Sequence, residues 1–84
     1  MSDFGENLQF YRKQRNLTQE QLAAALGISS PAVSKWETNS SYPDITLLCP
    51  LARVLDTNVD MLLNYEKILS SDEIEQKLNE ILSV

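Results

Sequence analysis

Histidine is missing altogether from this 84-residue chain, and cysteine occurs once, at Cys49. Without an imidazole there is no zinc site of the Cys/His kind and no catalytic triad built on a histidine base. A single cysteine cannot close an internal disulfide, which fits a reducing compartment. Glycine and proline are scarce, at 2 and 3 residues, so a loop-rich or fibrous chain is disfavoured. No phosphate-cradling glycine loop and no cluster of carboxylates with an evident role is present. The chain therefore reads as no enzyme, with no metal and no cofactor. No apolar run approaches the ~20 residues that cross a bilayer. Met1-Ser2-Asp3-Phe4 has no basic segment leading into an apolar stretch and does not read as a signal peptide. The expectation is a cytoplasmic protein with no membrane contact.

Positive charge is also in short supply, with 7 Lys and Arg against 12 Asp and Glu, for a net charge of −5. The deficit is uneven. Residues 1–42 carry Arg12, Lys13, Arg15 and Lys35 against Asp3, Glu6, Glu20 and Glu37 and are neutral overall. All the excess acidity lies in residues 43–84, so the whole-chain charge is a poor guide to what the first half binds.

What is there is 43% hydrophobic and 23% charged, enough for one small all-α domain. Asp3-x-x-Glu6 can act as a capping box for a first helix running to about Arg15, with Phe4, Leu8 and Tyr11 on its apolar face. Thr18 with Gln21 three residues on is a second capping box, and Leu17 with Leu22 forms a hydrophobic staple. The second helix spans Gln19 to Leu26, buries Leu22, Ala23 and Leu26, and ends at Gly27. Only Gly27-Ile28-Ser29 intervenes before a third helix that Ser29 caps, Ile28 and Val33 staple and Pro31 opens; it continues to about Glu37. Two helices joined by a three-residue turn containing glycine are a helix-turn-helix arrangement.

After the polar loop Asn39–Pro43, Asp44 caps a fourth helix with Ile45, Leu48, Leu51, Ala52 and Leu55 facing inward. Pro50 inside that pattern predicts a kink or an irregular first turn. A fifth helix covers roughly Val59–Tyr65, with Asn58 as cap and Leu62 and Leu63 inward. Ser70-x-x-Glu73 opens a sixth, in which Ile74, Leu78, Ile81 and Leu82 share one face. Cys49 is expected to be a small packed or half-exposed residue.

The stretch Arg12–Ala23, then Leu26-Gly27-Ile28-Ser29, then Val33-Ser34-Lys35-Trp36-Glu37 resembles the phage-repressor-like regulators of the Cro/C1, or xenobiotic-response-element, type. Pro43-Asp44-Ile45, Leu51-Ala52 and Val59-Asp60-x-Leu62-Leu63 extend the likeness, which covers about residues 6–65. The resemblance implies a five-helix repressor-like DNA-binding domain over residues 1–68 with an additional C-terminal helix over residues 69–84. That last helix is left as a dimerisation, packing or linker element, and it also resembles the segment leading into a second domain in longer regulators. Ala23 and Gly27 are expected to be small because two helices approach closely there.

In a helix-turn-helix the second helix enters the major groove with its N-terminal part nearest the bases. With Val33 and Trp36 inward, at about 100° per residue the outward directions belong to Pro31, Ser34, Lys35 and Thr38, with Ser30 at the leading end. Ser30, Pro31, Ser34 and Lys35 are therefore the base-reading candidates, Lys35 foremost. Serine can donate or accept, lysine can reach guanine O6 or N7, and Pro31 can pack on a thymine methyl. The alternative for Ser30 is a place in the cap, and for Ser34 plain solvation.

By resemblance, Gln19 clamps a DNA phosphate beside the free N–H groups of its helix, and Thr18, Thr38 and Asn39 are further phosphate candidates. Lys13 and Arg15 either add attraction or form a solvated face. The resemblance also pairs Arg12 with Glu37 as a structural ion pair that fixes the third helix. Trp36 belongs to the core. The reading helix has no Arg, Asn or Gln, so specificity would rest on few contacts, on DNA shape, or on a homodimer binding a palindromic double-stranded operator. The alternative function is a protein-interaction or antitoxin-like module that uses the acidic half.

Overall fold

The computed structural model describes residues 3–63 and 71–83. These form α1 (Phe4–Gln14), α2 (Gln19–Leu26), α3 (Ser30–Glu37), α4 (Ile45–Val54), α5 (Val59–Leu62) and α6 (Ser71–Leu82), with no strand among the described residues. The all-α expectation holds. The ends of the expected fifth helix (Tyr65), the Ser70 cap and the 68/69 domain boundary lie outside the described residues.

Helix α3 packs on both α1 and α2, α4 on α2, and the short α5 on α1 and α4. Leu8, Leu22, Ala23, Val33, Trp36, Leu51, Ala52, Leu55 and Leu62 make one buried core at their centre. Six of these, Leu8, Leu22, Leu51, Leu55, Leu62 and Val33, are the largest fully buried side chains. Each stabilises the fold by about 1.5–3 kcal/mol relative to exposure.

Four helices stop in the same way. After α1, α2, α3 and α4, one residue turns into the left-handed region: Asn16 (φ 57°), Gly27 (φ 70°), Asn39 (φ 61°) and Asp56 (φ 57°). The next N–H then reaches back across the last turn, as Leu17 to the Arg12 carbonyl, Ile28 to Ala23, Ser40 to Lys35 and Thr57 to Ala52. This is the Schellman arrangement, which satisfies carbonyls that a helix end otherwise leaves open. Asparagine and aspartate tolerate that backbone region better than other residues with a Cβ.

The helix starts are capped as their residues dictate. The Thr18–Gln21 box closes in both directions, at 2.9 and 3.0 Å. Asp3 accepts from the Glu6 N–H at 2.8 Å and Asn58 from the Met61 N–H at 2.8 Å. Ser29 occupies the cap position of α3, but its hydroxyl makes no cap bond.

Several expectations are corrected. Ile45 is 79% exposed, not inward, because the first turn of α4 overhangs the core and Leu47 packs in its stead. Leu63 is 46% exposed: α5 is a single turn ending at Leu62, and the next residue already points away. Cys49 is exposed. Gly27 is not a close-approach site, since a Cβ there would meet nothing within 4 Å; its positive φ is the whole reason for glycine. Pro50 sits within α4, whose first turn opens with a tight Asp44–Leu47 bond of 2.8 Å.

The close-approach glycine is Gly5. A Cβ there would lie 2.7 Å from the Glu37 carbonyl carbon and 2.9 Å from the Trp36 carbonyl oxygen. The start of α1 thus lies directly against the end of α3. Asn39 ties this crossing, accepting from the Gly5 N–H at 3.0 Å, and the Phe4 and Tyr42 rings meet over it at 5.8 Å.

Candidate nucleic-acid interface

Helices α2 and α3 are joined only by Gly27, Ile28 and Ser29. Their relative angle is set by Leu22, Ala23, Val33 and Trp36, all buried between them and the rest of the core. Val33 and Trp36 consume the inner face of α3, so its outer face is composed of what remains. Pro31 and Lys35 are exposed there and Ser30 and Ser34 are half-buried. The structure brings these four side chains to one side of one helix. The Ser30 and Ser34 hydroxyls and the Lys35 ammonium have no side-chain partner among the described residues, which leaves their donors available.

Behind α3 stands the ion pair. The Arg12 Nε and Nη2 donate to Glu37 Oε2 and Oε1 at 2.6 and 3.1 Å, while Nη1 donates to the Leu17 carbonyl at 2.8 Å. The two side chains are 11% and 4% exposed. The sequence-based pairing of Arg12 with Glu37 is thus seen directly. A bidentate arginine–carboxylate contact at this depth fixes orientation as well as distance. Every buried side-chain nitrogen and oxygen among the described residues has a partner, so the polar network is complete.

The other site candidates differ in how free they are. Gln19 is half-buried and its Nε2 donates to Glu37 Oε1 at 3.1 Å, a link the sequence did not announce. Thr18 is exposed, with its hydroxyl accepting from the Gln21 N–H. The Thr38 hydroxyl is folded back on α3, within 3.2 Å of the Ser34 and Lys35 carbonyls and 3.0 Å of the Ser40 hydroxyl. Asn39 is engaged with α1 through the Gly5 N–H and the Asp3 carboxylate. Bonds from the Glu6 N–H and the Asn39 side chain hold the Asp3 carboxyl below its ordinary value of 3.8. The Gln19–Glu37 bond sets the start of α2 beside the end of α3.

Two helices fixed at an angle by a buried core and an internal ion pair, the second with short polar side chains and one lysine on its outer face, form a helix-turn-helix. A profile of the helix-turn-helix family matches residues 8–62. The chain is 40% identical over 80 residues to a regulator of Bacillus subtilis strain 168, the uncharacterized HTH-type transcriptional regulator YqaE, covering 92% of this chain and 68% of that one. It is 39% identical over 77 residues to the HTH-type transcriptional activator BcrR of Enterococcus faecalis, again over 92% of this chain but only 38% of the length of that relative. Among solved structures, the P22 c2 repressor in complex with a synthetic operator superposes with a TM-score of 0.73 at 29% identity, over 79% of this chain and all of that one. The chain belongs to the helix-turn-helix family of DNA-binding transcriptional regulators, and its fold is that of a phage-repressor DNA-binding domain.

Among the described residues no helix is long and apolar enough to cross a membrane. Nor is any group of three or more His, Cys, Asp or Glu side chains placed to hold a metal ion there.

Proposed function

We propose that the chain is a cytoplasmic regulator, without enzymatic activity, that binds a two-fold symmetric double-stranded operator as a homodimer, with α3 in the major groove. In this reading Ser30, Pro31, Ser34 and Lys35 meet base edges, and Thr18, Gln19 and Thr38 hold the flanking backbone. Asn39 serves the backbone only through an amide N–H, since its oxygen already accepts from Gly5. The single observation that carries the reading is the outer face of α3, where donors without side-chain partners sit on a helix rigidly seated by Val33, Trp36 and the Arg12–Glu37 pair. Repression follows from occupying a promoter, in keeping with the repressor-domain fold, and a reporter with the operator overlapping the promoter should fall in output.

A homodimer is supported by α6, whose Ile74, Leu78, Ile81 and Leu82 are 42–77% exposed. Apolar stripes of this kind are ordinarily covered. Selecting bound sequences from a random duplex pool tests the whole reading. A palindromic consensus with half-sites about one helical turn apart is expected; a pool without enrichment, or an asymmetric single site, contradicts it.

A further inference from the structure

We infer that Glu37 is a positioning residue for the DNA-backbone contact of Gln19, so that the buried ion pair and the contact operate as one unit. The inference rests on the DNA-binding reading above. Glu37 Oε1 accepts simultaneously from Arg12 Nη2 and Gln19 Nε2, both at 3.1 Å. The same guanidinium donates to the carbonyl of Leu17, the residue just before the α2 cap. Arg12 therefore anchors the carboxylate and the start of α2 together, and Gln19 is the first residue of that helix.

The chemistry of the acceptor matters. A carboxylate paired with arginine can only accept, so it holds the NH2 end of the Gln19 amide and forbids the flipped arrangement with the carbonyl toward it. One N–H is spent on Glu37. The second N–H has no partner among the described residues, and an N–H is what a phosphate oxygen requires. A long amide side chain loses much rotamer freedom when ordered. Here that ordering is already accomplished before DNA arrives, which is preorganisation.

The test uses the full chain and the operator duplex selected from the random pool, with single phosphates replaced in turn by neutral methylphosphonates. Gln19→Ala is expected to weaken binding about tenfold, the loss of one charge-assisted hydrogen bond, and to remove the sensitivity to one phosphate. Replacing the pair by Arg12→Met with Glu37→Met keeps an apolar filling, as buried ion pairs often allow. It is expected to produce the same loss at the same phosphate, with no further loss when Gln19→Ala is added. Folded Met/Met protein that binds as tightly as wild type, with its phosphate sensitivity intact, overturns the inference. So does a uniform loss at every phosphate, which marks a merely structural pair. If Gln19→Ala alone binds like wild type, the Gln19 contact itself falls, and an unmodified chain that binds no duplex removes the DNA reading beneath both. Should the Met/Met protein fail to fold, the native Gln19 side-chain amide is read by NMR. One amide proton protected from solvent exchange in the free protein, with operator shifting only the other, supports the inference; two protons that exchange with solvent equally fast overturn it.

Discussion

The α1–α5 body and the helix α6 carry equally regular apolar faces, yet only the first is closed. In the body every apolar stripe meets another, and Leu8, Leu22, Leu51, Leu55, Leu62 and Val33 are lost from solvent entirely. In α6 the stripe Ile74, Leu78, Ile81 and Leu82 has the same helical spacing but stays at least 42% exposed, with no comparable packing against α1–α5. An amphipathic period specifies that a segment is helical and which face is apolar. It does not specify what that face meets. In the body the answer comes from features outside the apolar pattern: the Schellman turns, the Gly5 crossing and the Arg12–Glu37 pair.

The contrast can be broken most forcefully at Glu37. Glu37→Ala leaves Arg12 buried without its counter-ion and should destabilise the body by about 3–5 kcal/mol in denaturant unfolding. No single substitution in α6 should approach that at low protein concentration. Next comes a matched pair of truncations. Leu51→Ala, at 0% exposure, should cost about 2–5 kcal/mol. Leu78→Ala, at 49%, should leave dilute-solution stability within about 0.5 kcal/mol while weakening any self-association seen by sedimentation. A large monomer effect at Leu78 would erase the distinction between the two regions.

The glycines sharpen the comparison on a smaller scale. Gly5→Ala should cost about 1–3 kcal/mol, because backbone of α3 stands where the methyl would go. Gly27→Ala should cost only about 1 kcal/mol, since it has space but the wrong φ. The smallest effect is at Asp3. Its carboxyl is held below 3.8 in the folded chain by the Glu6 N–H and Asn39 bonds, so its contribution is complete above that pH and fades as pH falls through the lowered value. Asp3→Asn keeps an N-cap acceptor and should flatten the stability profile only on the acid side of about pH 4. A change on the neutral side would count against that assignment.

Much of this was legible in the residues. The Thr18–Gln21 box, the Gly27 stop, Val33 and Trp36 as the inner face of α3, and the Arg12–Glu37 pair are all local patterns or family positions with one physical solution. The misses share a cause, which is that they depend on where elements end relative to one another. Ile45 obeys the α4 period but lies past the edge of the core, and Leu63 falls off the end of a one-turn helix. Gly5 reads as an ordinary helix-interior glycine until α3 is laid across it. Asn16, Asn39 and Asp56 carry a weaker form of the Gly27 signal, being residues that tolerate positive φ just past a helical pattern. For the site, the face of α3 follows from arithmetic, whereas the Gln19–Glu37 bond needed the third dimension.

The central claim is that α3 reads DNA sequence, and Lys35 tests it most directly. Affinities of wild type and Lys35→Ala should be measured at one fixed salt concentration against the selected operator and its single-base variants. The expected result is a loss of about 1–3 kcal/mol confined to one base-pair position per half-site, with discrimination at that position relaxed. An equal loss on every variant would make Lys35 a backbone contact, and wild-type binding indifferent to sequence would contradict the account.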